Sequence, residues 1–543
     1  MRIRIADIHD TLRSIADINN IPITYLLSLN PRITDPDQNL AGMIMNLPPA
    51  SDTEIGNDVS VPLCPPVQLP YLDNWIPLVS LEEMERNEYD VIVVGTGAGG
   101  GAALWRLCER WEHCGKRIGV VEAGDLLLQT HAVNIATMNH ERVRAFFLNP
   151  KVSEPVAPAL PGARQLFALG GRTLFWSAVT PRMPLSETET WPISPKELNG
   201  YYSIAERVMN VTNHYDIGSS LTNVLLERLQ ENGFSESKSA PRAVNLESSR
   251  LGLIQSNVYF SSIEFLAAAL NKLPYDLAVK ARAVQVITEQ GKVSGVKVVS
   301  PERKSYFLRS KKVILSANAY QTPRILLNSG IQGEAIGHYL TCHSKLIALA
   351  AANRSDFPEP LGILNIITPQ TAEKPYQYQW VGPDPGRAHQ PYQEIPFHKQ
   401  VMIEANIFGK VEARYENKVY VIPQLTDEYG MPKLQVSFSF SQKDVEIIRR
   451  MTEEAKKMAL AMKVDLISIC QRPAGDDFHD SSTCRMGNDP ATSATNRYGQ
   501  IHGVSGLYVA DNSVLPSNGA TNPTLTTVAL AIRTADYIVE MNK

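Results

Sequence analysis

Apolar positions along the chain change their period several times, and each change marks a different element. Leu12, Ile15, Ala16 and Ile18 recur at helical spacing behind Asp10 and Thr11, either of which can cap a helix. Thr24 opens a second short helix carrying Leu26 and Leu27 that stops at Asn30-Pro31, and MIMNLP (43–48) reads as a strand. After Asp90 the pattern becomes a continuous apolar run, Val91–Val94, as a strand buried on both faces requires. Ala102–Leu107 return to helix, and RIGVVEAGD (117–125) supplies a second strand. KKVILSANAYQTPRILLNSGI (311–331) runs from strand through a turn of small residues to a helix starting around Thr322-Pro323. GVSGLYVADNSVLPSNGATNPTLTTVALAIRTADYIV (503–539) runs from strand to Asp511, a polar glycine-containing loop, and a helix opening at Pro523-Thr524.

Composition narrows the class. The 543 residues leave room for two to four domains, and 44% hydrophobic with 20% charged residues is ordinary for a globular chain. A formal net charge of −4 gives no electrostatic case for nucleic acid. No apolar run approaches the ~18 residues of a membrane span. The N-terminal MRIRIADIHDTLRSIAD has no apolar core of a secretory signal. Six cysteines without a CxxC pair argue against a disulfide framework or a metal site and for a reducing, cytoplasmic setting.

The strand at Val91–Val94 leads into Gly95, Gly97 and Gly100, spaced G-x-G-x-x-G. Such glycines allow a tight turn, close approach of backbone to a pyrophosphate, and close helix–strand packing, while the helix N-terminus attracts the phosphates. Glu122 ends the second strand about 20 residues on, where a carboxylate meets the adenosine ribose and disfavours a 2′-phosphate. This is an α/β nucleotide-binding unit, and by itself it serves NAD or FAD.

GARQLFALGGRTLFWSAVTPRMP (162–184), the 311–331 and 503–539 segments and the glycine motif together resemble the glucose–methanol–choline (GMC) oxidoreductases, FAD enzymes, over residues 89–543. Within that family GGRTLFWSAVTP (170–181) and ENKVYVIPQLTDEYGMPKLQVSFSF (416–440) resemble the pyranose oxidases. The resemblance implies a Rossmann-like FAD domain in pieces, 89–185, 246–335 and 475–543, and a discontinuous α+β substrate domain, 186–245 and 336–474. It assigns Gly95, Gly97, Gly100 and Glu122 to the ADP half, backbone near Val284 to adenine, and Asp511 and Thr524 to the pyrophosphate and ribityl chain. Gly170, Gly171, Thr173 and Trp176 would flank the flavin. Phe175 stands where fungal pyranose oxidases carry the histidine that links to FAD, which implies non-covalent FAD here. Residues 1–48 resemble the LysM module, a βααβ unit, which implies an N-acetylglucosamine-containing glycan and a possible cell-wall association. A proline-rich linker follows at 49–88.

FHDSSTCRMG (478–487) holds the candidate chemistry. Ser481 and Ser482 lack a G-x-S-x-G elbow, and Cys484 reads as packing. Oxidising an alcohol needs a base for the hydroxyl proton, for which neutral histidine is suited near pH 7. By family resemblance His479, four residues before Thr483, is that base, and Asn522 orients the hydroxyl. His343, in GHYLTCH, resembles a segment near the flavin edge but reads as structural. YQYQWVGPDPGRAHQPYQEIPFHKQ (376–400) reads as a loop over a polar, sugar-sized site. The expected activity is oxidation of a secondary alcohol of a sugar or glycoside to a ketone at C2 or C3, with oxygen or another acceptor. The alternatives are a non-sugar alcohol, or a glycan-binding protein with an inactive flavin fold.

Overall fold

Val91–Val94 form the middle of a five-stranded parallel sheet because nothing in the run needs water: all four residues are buried. In the computed structural model, which describes residues 2–48, 73–246, 259–383 and 399–541, the strand order is 276–278, 118–121, 91–94, 313–315 and 507–509. Every neighbouring pair is parallel. Helix Ala98–Arg110 packs against helices Ile263–Leu270 and Thr524–Glu540. A four-stranded sheet (282–289, 292–299, 305–310 and 88–89) completes this half.

The second large sheet has six antiparallel strands in the order 465–471, 343–353, 400–410, 376–382, 364–368 and 238–239. Successive side chains of a strand point to opposite faces, and the sequence alternates accordingly. Leu346, Ala348, Ile407, Tyr378, Trp380 and Ile366 join a core that includes residues of helices Ser220–Glu231 and Gln442–Met462. The other face carries Lys345, Phe408, Gln377, Gln379 and Asn406, paired across the strands as Lys345 with Phe408, Gln377 with Phe408 and Gln379 with Asn406. This polar face roofs the cavity described below.

Residues 2–47 form a strand, two short helices and a strand, with Arg2–Ile5 antiparallel to Ile44–Leu47 around Leu12, Ile15, Leu26, Leu40 and Met45. Thr11, not Asp10, caps the first helix, sharing a capping box with Ser14; Asp10 instead accepts from Asp7 N and Arg4. Ile18 is not on the apolar face: it is 71% exposed, because its spacing carries it around the helix from Leu12. The second helix begins at Ile23 behind Pro22 rather than at Thr24. Asp7 ties the unit to the nucleotide-binding half through Arg106 and Arg110. Of the proline-rich segment, 49–72 lies outside the described residues, as does 384–398 of the expected loop; Tyr376–Gly382 is a strand of the six-stranded sheet.

The helix expected from Thr322-Pro323 starts earlier, at Asn318, so Pro323 lies inside it. An internal proline has no N–H for the carbonyl four residues back. Here that carbonyl, Ala319 O, accepts from the Thr483 hydroxyl at 2.7 Å instead. Among the described residues, no helix is long and apolar enough to cross a membrane.

Candidate active site

A cavity of about 1010 Å³ lies between the parallel sheet and the polar face of the six-stranded sheet. Its floor is the glycine turn. A Cβ on Gly95 would overlap Ser316 O, one on Gly99 would overlap Ala510 O, and one on Gly100 would overlap Gly95 O. Gly97 is different: a Cβ there meets nothing within 4 Å, and the residue lines the cavity. Three glycines are thus required by packing, and Gly97 keeps clear a space that a ligand's phosphates would take. The N-termini of helices Ala98–Arg110 and Thr524–Glu540 open on the same cavity through Ala98 and Thr524, a ready anion site. These features fit the pyrophosphate of FAD.

Glu122 is buried at the cavity edge and accepts from Thr96 N (3.0 Å), Thr96 Oγ1 (2.7 Å) and Gly124 N (2.8 Å). Burial raises its pKa against those hydrogen bonds. Gly171, with φ of +56°, lines the cavity with Thr173 and Trp176, and its Cβ would stand 3.2 Å from Gly97 Cα. Gly170 lies just behind, its N–H donating to Thr96 Oγ1 at 3.0 Å and its carbonyl accepting from Thr173 Oγ1 at 2.6 Å. Phe175 lines the cavity and packs edge-on with Phe147 at 5.9 Å between ring centroids.

One expected position lies beside the cavity wall rather than on it, and another lines the cavity with its carboxylate already hydrogen-bonded. Val284 is not at the cavity wall, which is formed instead by Ala281, Arg282 and Ala283. The strand register slips between Ala283 and Gln285, and Val284 O accepts from Asn328 Nδ2 at 2.8 Å. Asp511 does line the cavity, but its carboxylate already accepts from Asn318 N (3.0 Å), Thr322 Oγ1 (2.6 Å) and Ser513 N (2.9 Å). It braces the 318–328 helix to the C-terminal segment.

His479 and Asn522 meet at the cavity wall, with Asn522 Nδ2 and His479 Nε2 3.4 Å apart. Asn522 Oδ1 accepts from Gln377 Nε2 at 2.8 Å and from Gln379 Nε2, so the amide nitrogen is the atom turned toward His479. The two glutamines were missed in the sequence; their signal was the alternation of YQYQW, where every second residue is polar. Behind His479, His343 Nδ1 lies 2.9 Å from His479 Nδ1. Asp477 Oδ2 accepts from His343 N (2.8 Å) and His479 N (3.1 Å) and stands 3.9 Å from His479 Nδ1.

Burial lowers the pKa of His343 to about 4 and that of His479 well below the ordinary value, the latter helped by His343 and the cations Lys345 and Arg172. Both imidazoles are neutral near pH 7. Asp477 is pushed up to about 7 by burial and by Asp480. His343, Asp477 and His479 offer ligand atoms within 4.8 Å of one another. Two nitrogens on one tetrahedral ion would stand about 3.3 Å apart, so 2.9 Å is a hydrogen bond and not a ligand pair.

Arg172 lines the cavity and pairs with Asp480 at 3.0 Å; Asp480 also accepts from Tyr320 OH. Ser481 and Ser482 are buried with hydroxyls that have no partner among the described residues, so no base activates either. Burial holds the Cys484 thiol well above its usual pKa, hence protonated.

Residues 157–345 and 414–531 match the two models of the GMC oxidoreductases; neither match includes residues 1–48. The chain is 28% identical over 418 residues to a C-glycoside 3-oxidase of Arthrobacter globiformis, spanning 71% of this chain and 76% of that protein. It is 23% identical over 428 residues to a pyranose 2-oxidase of Tricholoma matsutake, spanning 70% and 74%. The fold is similar to that of pyridoxine 4-oxidase from Mesorbium loti, with a TM-score of 0.60 at 14% identity, covering 83% of this chain and 99% of that one.

Proposed function

The chain belongs to the glucose–methanol–choline oxidoreductase family, and from that membership and the cavity we propose that it oxidises a ring secondary alcohol of a sugar or glycoside to a ketone, at C2 or C3. The observation that carries the reading is the pairing of His479 Nε2 with Asn522 Nδ2 on a wall facing the glycine turn. When bound, FAD supplies the acceptor for the hydride and its electron pair. It would be held without a covalent link at Phe175, by Gly97 and the two helix N-termini at the pyrophosphate, by Glu122 at the ribose, and by Gly171, Thr173 and Trp176 beside the flavin. Oxygen or another acceptor would balance the two electrons taken from the alcohol.

The rest is done by the chain's own groups. Asn522 donates to the substrate oxygen and fixes its position, which lowers the entropic part of the barrier. His479 Nε2 takes the hydroxyl proton as the C–H bond of the same carbon breaks. Gln379, Asn406 and Lys345 present donors and acceptors along the roof, a lining suited to a polyol and costly for a long apolar alcohol.

An anaerobic visible spectrum of the holoprotein tests this, with glucose, methyl glucosides, an aryl C-glucoside and simple aliphatic alcohols added in turn. Bleaching near ~450 nm by a sugar or glycoside is expected, with a loss of ~10²-fold or more in reduction rate for His479→Ala. Bleaching only by aliphatic alcohols would overturn the substrate class.

A further inference from the structure

The groups behind His479 form a chain whose hydrogen-bond direction is set at both ends. At one end, Asn518 O, a carbonyl that can only accept, lies 3.4 Å from His343 Nε2. At the other, Gln377 and Gln379 occupy Asn522 Oδ1 and leave Asn522 Nδ2, which can only donate, facing His479 Nε2. A neutral imidazole carries one donor and one acceptor nitrogen. His343 therefore donates from Nε2 and must accept at Nδ1. The atom 2.9 Å from that acceptor is His479 Nδ1, which must carry the hydrogen. His479 Nε2 is left with its lone pair toward the cavity. Starting from Asn522 gives the same tautomer independently.

We propose that His343 is a positioning residue that holds His479 in the Nδ1–H tautomer, so that Nε2 is the free base for the substrate hydroxyl. This rests on the proposed alcohol oxidation for its consequence, but the tautomer itself does not depend on the substrate. As the substrate O–H bond breaks, its proton binds His479 Nε2, and the resulting imidazolium keeps its Nδ1–H bond to His343. Asp477 faces that cation at 3.9 Å from Nδ1. Lys345 on the adjoining strand and Arg172 on the glycine-turn side oppose it, Arg172 being paired with Asp480. The other tautomer would place N–H against the Asn522 N–H and leave two lone pairs facing across 2.9 Å, an unpaired buried polar contact at each end. An apolar residue at position 343, although the position is buried, would leave the His479 Nδ1–H without its acceptor.

The test uses FAD-loaded protein labelled with 15N-histidine. Long-range proton–nitrogen spectra assigned with His479→Ala and His343→Gln are expected to show His479 protonated at Nδ1 and bare at Nε2. His343→Leu removes the acceptor; His343→Gln restores one through Oε1. With FAD content and melting temperature as controls, His343→Leu is expected to slow anaerobic flavin reduction by methyl glucoside at least ~10-fold and to alter its pH profile. His343→Gln is expected to recover most of the rate, with KM little changed in both. A Nε2–H tautomer in the parent, a His343→Leu enzyme with the parent's rate and profile, or a His343→Gln enzyme as slow as His343→Leu would each overturn the assignment. The expected tautomer in a protein whose flavin no sugar bleaches would support the assignment and sink the proposed function instead.

Discussion

Gly97 and Gly100 stand three residues apart in one turn and answer to different neighbours. A Cβ at position 100 would run into Gly95 O, whereas one at 97 would enter open cavity. Gly100→Ala is therefore expected to yield little folded protein, and Gly97→Ala a folded protein whose FAD dissociation constant rises ~10-fold or more, because a methyl group takes up space needed by the pyrophosphate. Melting curves and flavin fluorescence on release separate the two outcomes. At His479 the sign of the pH dependence follows from burial. Its pKa lies below the ordinary imidazole value of about 6.5, the neutral form is the base, and protonation removes activity. The acid limb of kcat/KM is thus expected below pH 6.5; a limb above that value would contradict the desolvated environment.

Among the elements, helix Asn318–Asn328 depends on a residue 164 positions from the carbonyl it meets. Pro323 leaves Ala319 O without its helical donor, and Thr483 Oγ1 supplies one. The threonine that follows His479 in H-x-x-x-T thus anchors the histidine loop to a helix that closes the cofactor half. Thr483→Val keeps the volume but strands a carbonyl, and a loss of about 1–3 kcal/mol in urea unfolding is expected. Undiminished stability would mean that another donor replaces the hydroxyl. The six-stranded sheet shows the same economy of position: Gln377 and Gln379 hold Asn522, while Tyr378 between them enters the core behind. A period of two separates the polar roof from the core without any change of element.

For the whole molecule, Arg106 is the joint. It is buried on the nucleotide helix and meets Asp536 (2.7 Å) on the C-terminal helix, Glu109 (2.6 Å) on its own, and Asp7 of the N-terminal unit. Removing one partner of a buried ion cluster leaves uncompensated charge, a cost of about 3–5 kcal/mol. Arg106→Met is expected to lower the melting temperature and to expose residues 2–47 to protease; unchanged digestion would show that apolar contacts alone hold the unit. The sequence by itself determined what depends on near neighbours: the apolar run at Val91–Val94, the glycine spacing, Glu122 at its strand end, and the capped first helix. Family resemblance added His479 and Asn522, which the structure sets side by side. The helix start at Thr322-Pro323 was misread, because whether Pro323 lies inside a helix turns on a distant hydroxyl, whereas Thr524 does open its helix behind Pro523. Val284 lies next to the cavity-lining Ala283, at a register slip that no periodicity records. His343, Gln377, Gln379 and the Arg172–Asp480 pair were decided only by the tertiary structure. Their meaning lies in contacts to residues more than 130 positions away, and a hydrogen bond acquires its direction only when both ends are in place.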